Sequence, residues 1–318
     1  MSPDTLVIGS RGSALALWQA GWAKARLEEQ HSISARIAVI QTTGDKITDV
    51  PLGQMGGSKA LFTKEIEEAL LAHRVDLAVH SMKDVPVELP AGLVIAAVSE
   101  REDPRDAWIS RSGATLKDLP GGARVGTSSL RRTCQLRLLR PDLEIRPLRG
   151  NLDTRLRKLD EGQFEAIVLA AAGLKRLGLE SRVTEFFSPE RMIPAVGQGA
   201  LAIEIRQQDT RTRQFIACLD HFPTHLATLA ERSLLRRLGG GCQVPIAANA
   251  AIQSDTLRLV ALVASPDGAY VVRGTRSGPV GSAEEIGQRL AEELLERGAG
   301  KILAEIYSHS ALAPPGAG

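Results

Sequence analysis

The stretch Val79-His80-Ser81-Met82-Lys83-Asp84-Val85-Pro86 constrains the chain most. Just before it, Val75-Asp76-Leu77-Ala78-Val79 alternates apolar and polar residues with period two, which predicts a strand. Pro86 and Pro90 forbid a regular continuation. Lys83 and Asp84 are therefore expected just past the carboxyl end of a strand, where open α/β sheets bind ligands. A carboxylate held beside a fixed cation at such a place can give or take protons. A plain surface Lys-Asp turn is the competing reading of the same residues.

The 318 residues suffice for two or three domains with cores of their own, and 43% hydrophobic with 24% charged content is ordinary for a soluble globular protein. A net charge of +2 makes the whole molecule no polyanion magnet, but Arg outnumbers Lys 30 to 9. Arg binds carboxylate and phosphate in a planar, bidentate way that Lys cannot match. The three cysteines, Cys134, Cys218 and Cys242, give neither a disulfide framework nor zinc spacing, and no metal is expected. There is no signal-peptide pattern and no apolar run long enough to span a bilayer. The expected setting is a reducing cytoplasm. No apolar heptad pattern points beyond a monomer.

Strand-to-helix turns recur along the chain. Leu6 to Ser10 predicts a strand, and Ser13 caps a helix carrying Leu15, Trp18 and Trp22, with the two Trp residues expected in the core. Arg11 in that turn, beside free helix N–H groups, makes either an anion site or a simple structural turn. Ile37 to Gln41 is the next strand. Residues 42–60 are Gly-rich, with Lys59 near the end, and have the composition of a mobile loop or lid. Thr63 to Arg74 is an amphipathic helix with Ile66, Ala69 and Leu70 inward.

A second α/β unit is expected after a boundary near Ser99 to Pro104. Strands are expected up to Thr127, from Leu143 to Leu148 and from Ala166 to Ala170, with helices from Ser129 to Arg140 and from Leu152 to Asp160. Its turns Gly126-Thr127-Ser128-Ser129-Leu130-Arg131-Arg132 and Arg149-Gly150-Asn151-Leu152-Asp153-Thr154-Arg155 each place hydroxyl or amide donors and Arg at a helix N-terminus. From Arg124 to Lys158 there are nine Arg and one Lys against three acids. Arg176 lies in a further helix-like stretch. Pro194 to Gly199 is a connector into a strand, Ala200 to Ile205, expected to cross back into the first sheet. From about His221 an α+β region follows: a helix from Thr224 to Leu238, three strands, and a helix opened by Ser282 with Glu285 as capping-box partner. Cys242 sits in a Gly-flanked turn that allows close approach by a bulky group. Cys134 and Cys218 are expected to be plain thiols, and the last residues, Ala311 to Gly318, to be disordered.

These motifs together resemble those of porphobilinogen deaminases. The matching stretches are Ile8 to Ser13, Val79 to Pro86, Gly126 to Arg132, Arg149 to Arg155, Pro194 to Gly199 and Gly240 to Pro245, in the family's order along nearly the whole chain. The resemblance implies an α/β fold: two lobes like type II periplasmic binding proteins forming a cleft, plus a smaller C-terminal α+β domain. The implied division is 1–99 with 200–217, then 100–199, then 218–318. It implies a dipyrromethane cofactor joined by thioether to Cys242. Four porphobilinogen units are added to it with loss of ammonia, and hydrolysis releases 1-hydroxymethylbilane. Asp84 is matched to the catalytic role. The cofactor would meet Ser81, Lys83, Asp84, Thr127, Ser128, Ser129, Arg131, Arg132 and Gly150. Substrate would meet Arg11, Ser13, Lys59, Phe62, Arg149, Arg155, Arg176 and Gln198. Ser58 and Ala60 depart from the family's usual glycines in the Gly-rich loop. A solute-binding protein would share the lobes but has no use for Cys242. A nucleic-acid binder is disfavoured by 3% aromatic content. A phosphate-dependent enzyme would want a Gly-x-x-x-x-Gly-Lys loop, which is absent from the sequence.

Overall fold

The computed structural model describes residues 5–46, 62–240 and 244–309. In chain order it begins with β1 (Thr5–Ser10), α1 (Ala14–Gln30), β2 (Ser34–Val39), α2 (Thr43–Lys46), α3 (Lys64–Leu71), β3 (Leu77–Ser81) and β4 (Leu93–Val98). Then come β5 (Asp106–Ser110), β6 (Arg124–Gly126), α4 (Leu130–Leu139), β7 (Glu144–Arg146), α5 (Leu152–Asp160), β8 (Ala166–Ala170), α6 (Ala171–Arg176) and β9 (Glu185–Phe187). The chain continues through β10 (Leu201–Arg206), α7 (Thr210–Ile216), α8 (Phe222–Arg237), β11 (Ile246–Gln253), β12 (Thr256–Ala264), β13 (Val271–Pro279), α9 (Ala283–Leu294) and α10 (Gly300–His309).

The chain divides into two compact units, changing from one to the other at Glu102/Asp103, Gln198/Gly199 and His225/Leu226. In the first unit the sheet order is β2-β1-β3-β10-β4, with β1, β2 and β3 parallel and β10 antiparallel to both its neighbours. Alternation along the strands assigns the two faces. Leu6, Ile8, Leu77, Val79, Ile203 and Ile205 pack against Ala20, Ala23 and Leu27 of α1. Val7 and Ala78 pack the other way, against Ile66, Ala69 and Leu70 of α3. Because both faces are covered, β3 is buried throughout until Ser81.

The second unit repeats this plan. Its order β7-β6-β8-β5-β9 again has three parallel strands, then an antiparallel one, then an edge strand. In each sheet the antiparallel member, β10 or β5, is the first strand after a crossing. The same unit holds a three-stranded antiparallel sheet, β11-β12-β13. Cys134 of α4 and Ile193 pack against its Ala247, Leu262 and Ala264.

The observed elements differ from expectation in several places. β3 begins at Leu77, not Val75, because the Asp76 carboxylate turns to accept the Val7 N–H at 2.8 Å. Trp22 packs partly buried against the core as expected, but Trp18 is 40% exposed, and Gln19 and Ala20 face the core in its place. The strand expected over 143–148 is only three residues long, since Pro147 has no N–H to give the ladder. Ser282 makes no capping bond with its side chain, although the helix it precedes does end near Arg297, where Gly298 at φ 105° breaks the helix before α10. Most of the Gly-rich segment, residues 47–61, the Cys242 turn, 241–243, and the C-terminal residues 310–318 lie outside the described residues, so the expected lid and disordered tail do too.

The return crossing has one tight point. Gly199 sits at φ +96°, and a Cβ there would strike the Glu102 backbone carbonyl. The two backbones also bond to one another, Glu102 N–H to Gly199 O at 3.2 Å. Gly199→Ala is expected to cost about 1–3 kcal/mol of stability, read as a lower urea midpoint with an unchanged slope. A wild-type midpoint would contradict this account of the crossing.

Candidate functional site

In the first unit a pocket opens at the carboxyl ends of β1 and β3. Arg11, Ser13, Leu15, Ala16, Gln19, Phe62, Thr63, Val79, His80, Ser81 and Asp84 line it. Local folding explains why Asp84 is presented there. Met82, Lys83 and Asp84 form one 3₁₀ turn, closed by Val85 N–H to Met82 O at 3.2 Å. Met82 and Val85 are buried against Val98, Ala200 and Ala202, and Met82 N–H donates to Ala200 O at 3.0 Å. The apolar residues on either side anchor the turn, and Lys83 and Asp84 are left half-buried. The Asp84 carboxylate takes no hydrogen bond or ion pair from any described residue.

The surroundings favour anions. α1 begins at the pocket, capped by Ser13, which accepts the Ala16 N–H at 3.3 Å, and has no acid in its first turn. The N-terminal end of α3 reaches the same pocket through Phe62 and Thr63. The α1 N-terminus and the Arg11 guanidinium bring positive potential, whereas α3 carries Glu65 and Glu67 in its own first turn. Arg11 lies 4.6 Å over the Phe62 ring. Gln19 donates to Ser81 Oγ at 2.8 Å, which fixes that hydroxyl. The structure thus brings together Arg11, Ser13, Phe62, Ser81 and Asp84, five of the residues picked out in sequence, and Lys83 adjoins Asp84. Lys59 lies outside the described residues.

In the second unit the turns after β6 and β7 are stitched to each other. Ser128 Oγ donates to Leu148 O at 2.9 Å and accepts Leu148 N–H at 3.0 Å. Thr127 Oγ1 accepts Ser129 N–H at 3.2 Å. Ser129 stands at the α4 N-cap, where its carbonyl accepts the Thr133 N–H at 2.9 Å but its hydroxyl makes no capping bond. Gly150, φ +109°, lets the chain pass close over Thr154, and its carbonyl accepts from Arg155 Nε at 2.8 Å. Arg149 follows β7, Arg155 lies early in α5 and Arg176 ends α6, and all three are half-buried.

Three expected ligand groups turn out to be interior. Arg131 and Arg132 are 5% and 6% exposed, and both are tied to Asp106, at 2.6 Å and 2.7 Å. Arg131 also donates to Ile193 O and Arg132 to Val168 O. Gln198, 1% exposed, donates to Pro104 O at 2.7 Å and to Asp106 at 3.0 Å. The three groups close the charge of Asp106, which is fully buried at the start of β5. Burial by itself would raise the Asp106 carboxyl, but the two guanidinium groups outweigh it and hold it well below the usual range. A ligand carboxylate reaching Arg131 or Arg132 has to share it with Asp106. Sequence reading passed over Asp106, Gln19, His80 and Glu204. The available signal was an ionisable residue inside an otherwise apolar strand, as in Asp106-Ala107-Trp108-Ile109.

Comparison with known proteins decides the family. Residues 6–214 match the dipyrromethane cofactor binding domain of porphobilinogen deaminase, and residues 225–296 match the C-terminal domain of that enzyme. The chain belongs to the porphobilinogen deaminase family. It is 55% identical to a porphobilinogen deaminase of Pelobacter propionicus over 96% of this chain and 99% of the relative. It is 54% identical, with the same coverage, to one of Syntrophobacter fumaroxidans. Solved structures with partial similarity include the methionine-binding protein MetQ, 13% identical, TM-score 0.46, covering 70% of this chain and 93% of that one. Another is a periplasmic substrate-binding protein of Coxiella burnetii, 15% identical, TM-score 0.44, covering 71% and 96%.

The family's dipyrromethane cofactor carries acetate and propionate groups and pyrrole N–H groups, and the residues present fit it. Arginines and helix N-termini suit the carboxylates, and Asp84, with no described partner, suits an N–H donor. Cys242 lies outside the described residues, but the flanks of its turn are anchored. Gly240 N–H donates to Leu235 O at 3.0 Å, and Val244 is buried. Burial pushes the Cys134 thiol up to about 11, making it a poor nucleophile.

The Asp106 cluster gives a direct test. Asp106→Asn leaves two buried guanidinium groups uncompensated and should cost about 3–5 kcal/mol near neutral pH. Because the folded carboxyl sits below its ordinary 3.8, its stabilisation is complete above that pH and drains away only as pH falls below it. Denaturant titrations at neutral and acid pH should show the difference between wild type and variant shrinking at acid pH. A small or pH-independent difference would contradict the assignment.

Proposed function

We propose that the chain condenses porphobilinogen units head to tail on a dipyrromethane held through Cys242, with Asp84 as its catalytic acid and base. The observation that supports this best is the Asp84 carboxylate, without a described partner, in a pocket otherwise built for anions. When bound, the dipyrromethane supplies a terminal pyrrole carbon to which the next unit is joined. The chain's own residues bind, orient and move protons. Arg11, Lys83, Arg149, Arg155 and Arg176 pair with acetate and propionate groups. Ser13, Ser81, Ser129 and Gly150 add hydroxyl and backbone donors, and Phe62 covers Arg11. Thr127, Ser128, Arg131, Arg132 and Gln198 act one step back, by holding the turns that carry these groups.

Asp84 has three tasks, each within reach of a carboxylate that changes protonation state. It steadies a pyrrole N–H as positive charge develops on the ring. It helps protonate the departing amine, and it accepts the ring proton once the new carbon–carbon bond has formed. Hydrolysis then releases 1-hydroxymethylbilane. We also propose three functional domains, 1–99 with 200–217, 100–199 and 218–318, with the last carrying the cofactor cysteine. We place the enzyme in the cytoplasm as a monomer with no nucleic-acid or membrane partner. The near-neutral charge and sparse cysteines support that setting, and no described helix is long and apolar enough to cross a membrane.

The purified protein should release ammonia from porphobilinogen. Asp84→Asn should lower that turnover by about 10²- to 10⁴-fold with an unchanged unfolding transition. Intact mass should show an adduct of two pyrrole units that Cys242→Ser lacks. Wild-type turnover in Asp84→Asn, or an adduct that survives in Cys242→Ser, would sink the corresponding assignment.

A further inference from the structure

Behind the pocket lie three buried ionisable side chains that the proposed chemistry does not use. His80 and Glu204 are on adjacent strands. His80 pairs with Ala202 in the β3–β10 register, so Glu204 stands diagonally across on the same face. His80 Nε2 lies 3.0 Å from Glu204 Oε2, with the two side chains 5% and 0% exposed. That face is covered by α3, which brings in Glu67, 4% exposed. Glu67 Oε1 and Glu204 Oε1 are both buried and neither has a hydrogen-bond partner.

Two buried, negatively charged carboxylates sharing one imidazole as their only nearby base among the described residues would be costly in a low-dielectric interior. Burial, and then the charge of Glu204, outweigh the Thr63 hydroxyl and His80 and push the Glu67 carboxyl up. A proton kept on this pair accounts for an orphaned oxygen on each acid, because a protonated carboxyl can donate where a carboxylate cannot. The other end of the cluster is the pocket itself. His80 lines it, and Nδ1 has no described hydrogen-bond partner and is not among the sealed orphan atoms. The charged groups around His80 are Glu204 from β10, Glu67 from α3, Asp84 from the 3₁₀ turn and Arg11 from the β1–α1 turn.

We propose that Glu67, Glu204 and His80 form a proton-holding chain running from behind the sheet into the Asp84 pocket, with His80 as a positioning residue for the reaction there. Glu204 anchors the ring at Nε2, and His80 is itself one of the residues that line the pocket. Glu67, whose carboxyl is pushed up by burial, holds a proton more readily than an exposed glutamate and so adds less negative charge behind the ring. Ionisation of Glu67 at high pH places a second negative charge behind the ring and disturbs its setting. The proposal rests on the assignment of the Asp84 pocket made above.

The test measures kcat and KM for porphobilinogen across pH in the loaded enzyme, wild type against four variants. His80→Asn and Glu204→Gln should each lower kcat by about 10- to 100-fold, the scale of a misplaced group, with little change in KM. The double variant should be no worse than the poorer single, as for residues acting as one unit. Glu67→Gln, a fixed neutral mimic, should match wild type at neutral pH and extend the alkaline limb of kcat upward. Wild-type kcat in both singles, additive losses, or an unmoved alkaline limb would overturn the proposal. A readout independent of turnover is the infrared carbonyl band of a protonated carboxyl in the wild-type protein at neutral pH. It should vanish in Glu67→Gln and persist in Asp84→Asn, and its absence from wild type would also overturn the proposal. If Asp84→Asn keeps full turnover while that band behaves as expected, the pocket assignment fails and the buried chain stands.

Discussion

The candidate site depends on the pairing of β10 with β3. That one antiparallel register fixes the backbone at both ends of the functional stretch. Leu201 lies opposite Ser81, Glu204 lies within reach of His80, and Ala200 O takes the Met82 N–H that opens the Asp84 turn. Without β10, the edge strand β4 has no partner in the sheet, because β10 is its only neighbour. A strand from late in the sequence therefore sets the geometry of residues from its first third. The Gly199 crossing matters because any shift of β10 along β3 would carry Ala200 and Glu204 with it, and a one-residue slip would turn every side chain to the opposite face.

The two units handle buried charge in different ways. In the second, Asp106 is neutralised by Arg131 and Arg132, which also donate to the Ile193 and Val168 carbonyls, and Gln198 donates to Asp106 while its own Oε1 is left without a partner. It is a cluster in which the acid is fully matched by cations. In the first, the acids outnumber the bases: Glu67 and Glu204 face a single imidazole, and one oxygen of each acid is left over. A cluster whose acid is matched by cations suits a scaffold that holds turns in place, and one with acids in excess suits a location where protons are exchanged.

Much of this was legible in the sequence. Strand periodicity and the prolines placed Asp84 at a strand's carboxyl end, and turn chemistry marked Arg11 and Ser13 and the turns at 126–132 and 149–155. The return of Ala200 to Ile205 into the first sheet followed from the Gly/Pro connector before it. What sequence reasoning could not supply was the partner of each charge. Arg131 and Arg132 look like ligand groups in the sequence because nothing local shows that Asp106, far earlier in the chain, already holds them. The same holds for Gln198, whose bond to Asp106 spans 92 residues of sequence. The helical stripe of α1 was misread because Trp18 is large and apolar, whereas the residue that turns inward beside it is Gln19, engaged with Ser81. His80 and Glu204 went unremarked because each sits in an apolar strand, and only strand pairing makes them neighbours.

The order of strands in the two sheets bears on how the chain assembles. The middle sheet, β5 to β9, is drawn from one continuous run of sequence and has all its strands once Phe187 has been made. The amino-terminal sheet starts earlier but lacks an inner strand until β10 emerges. During synthesis the part begun first is therefore finished second, and until then β3 offers an unpaired hydrophobic edge to its surroundings. The segment that shapes the proposed catalytic turn is also the one whose arrival ends that exposure.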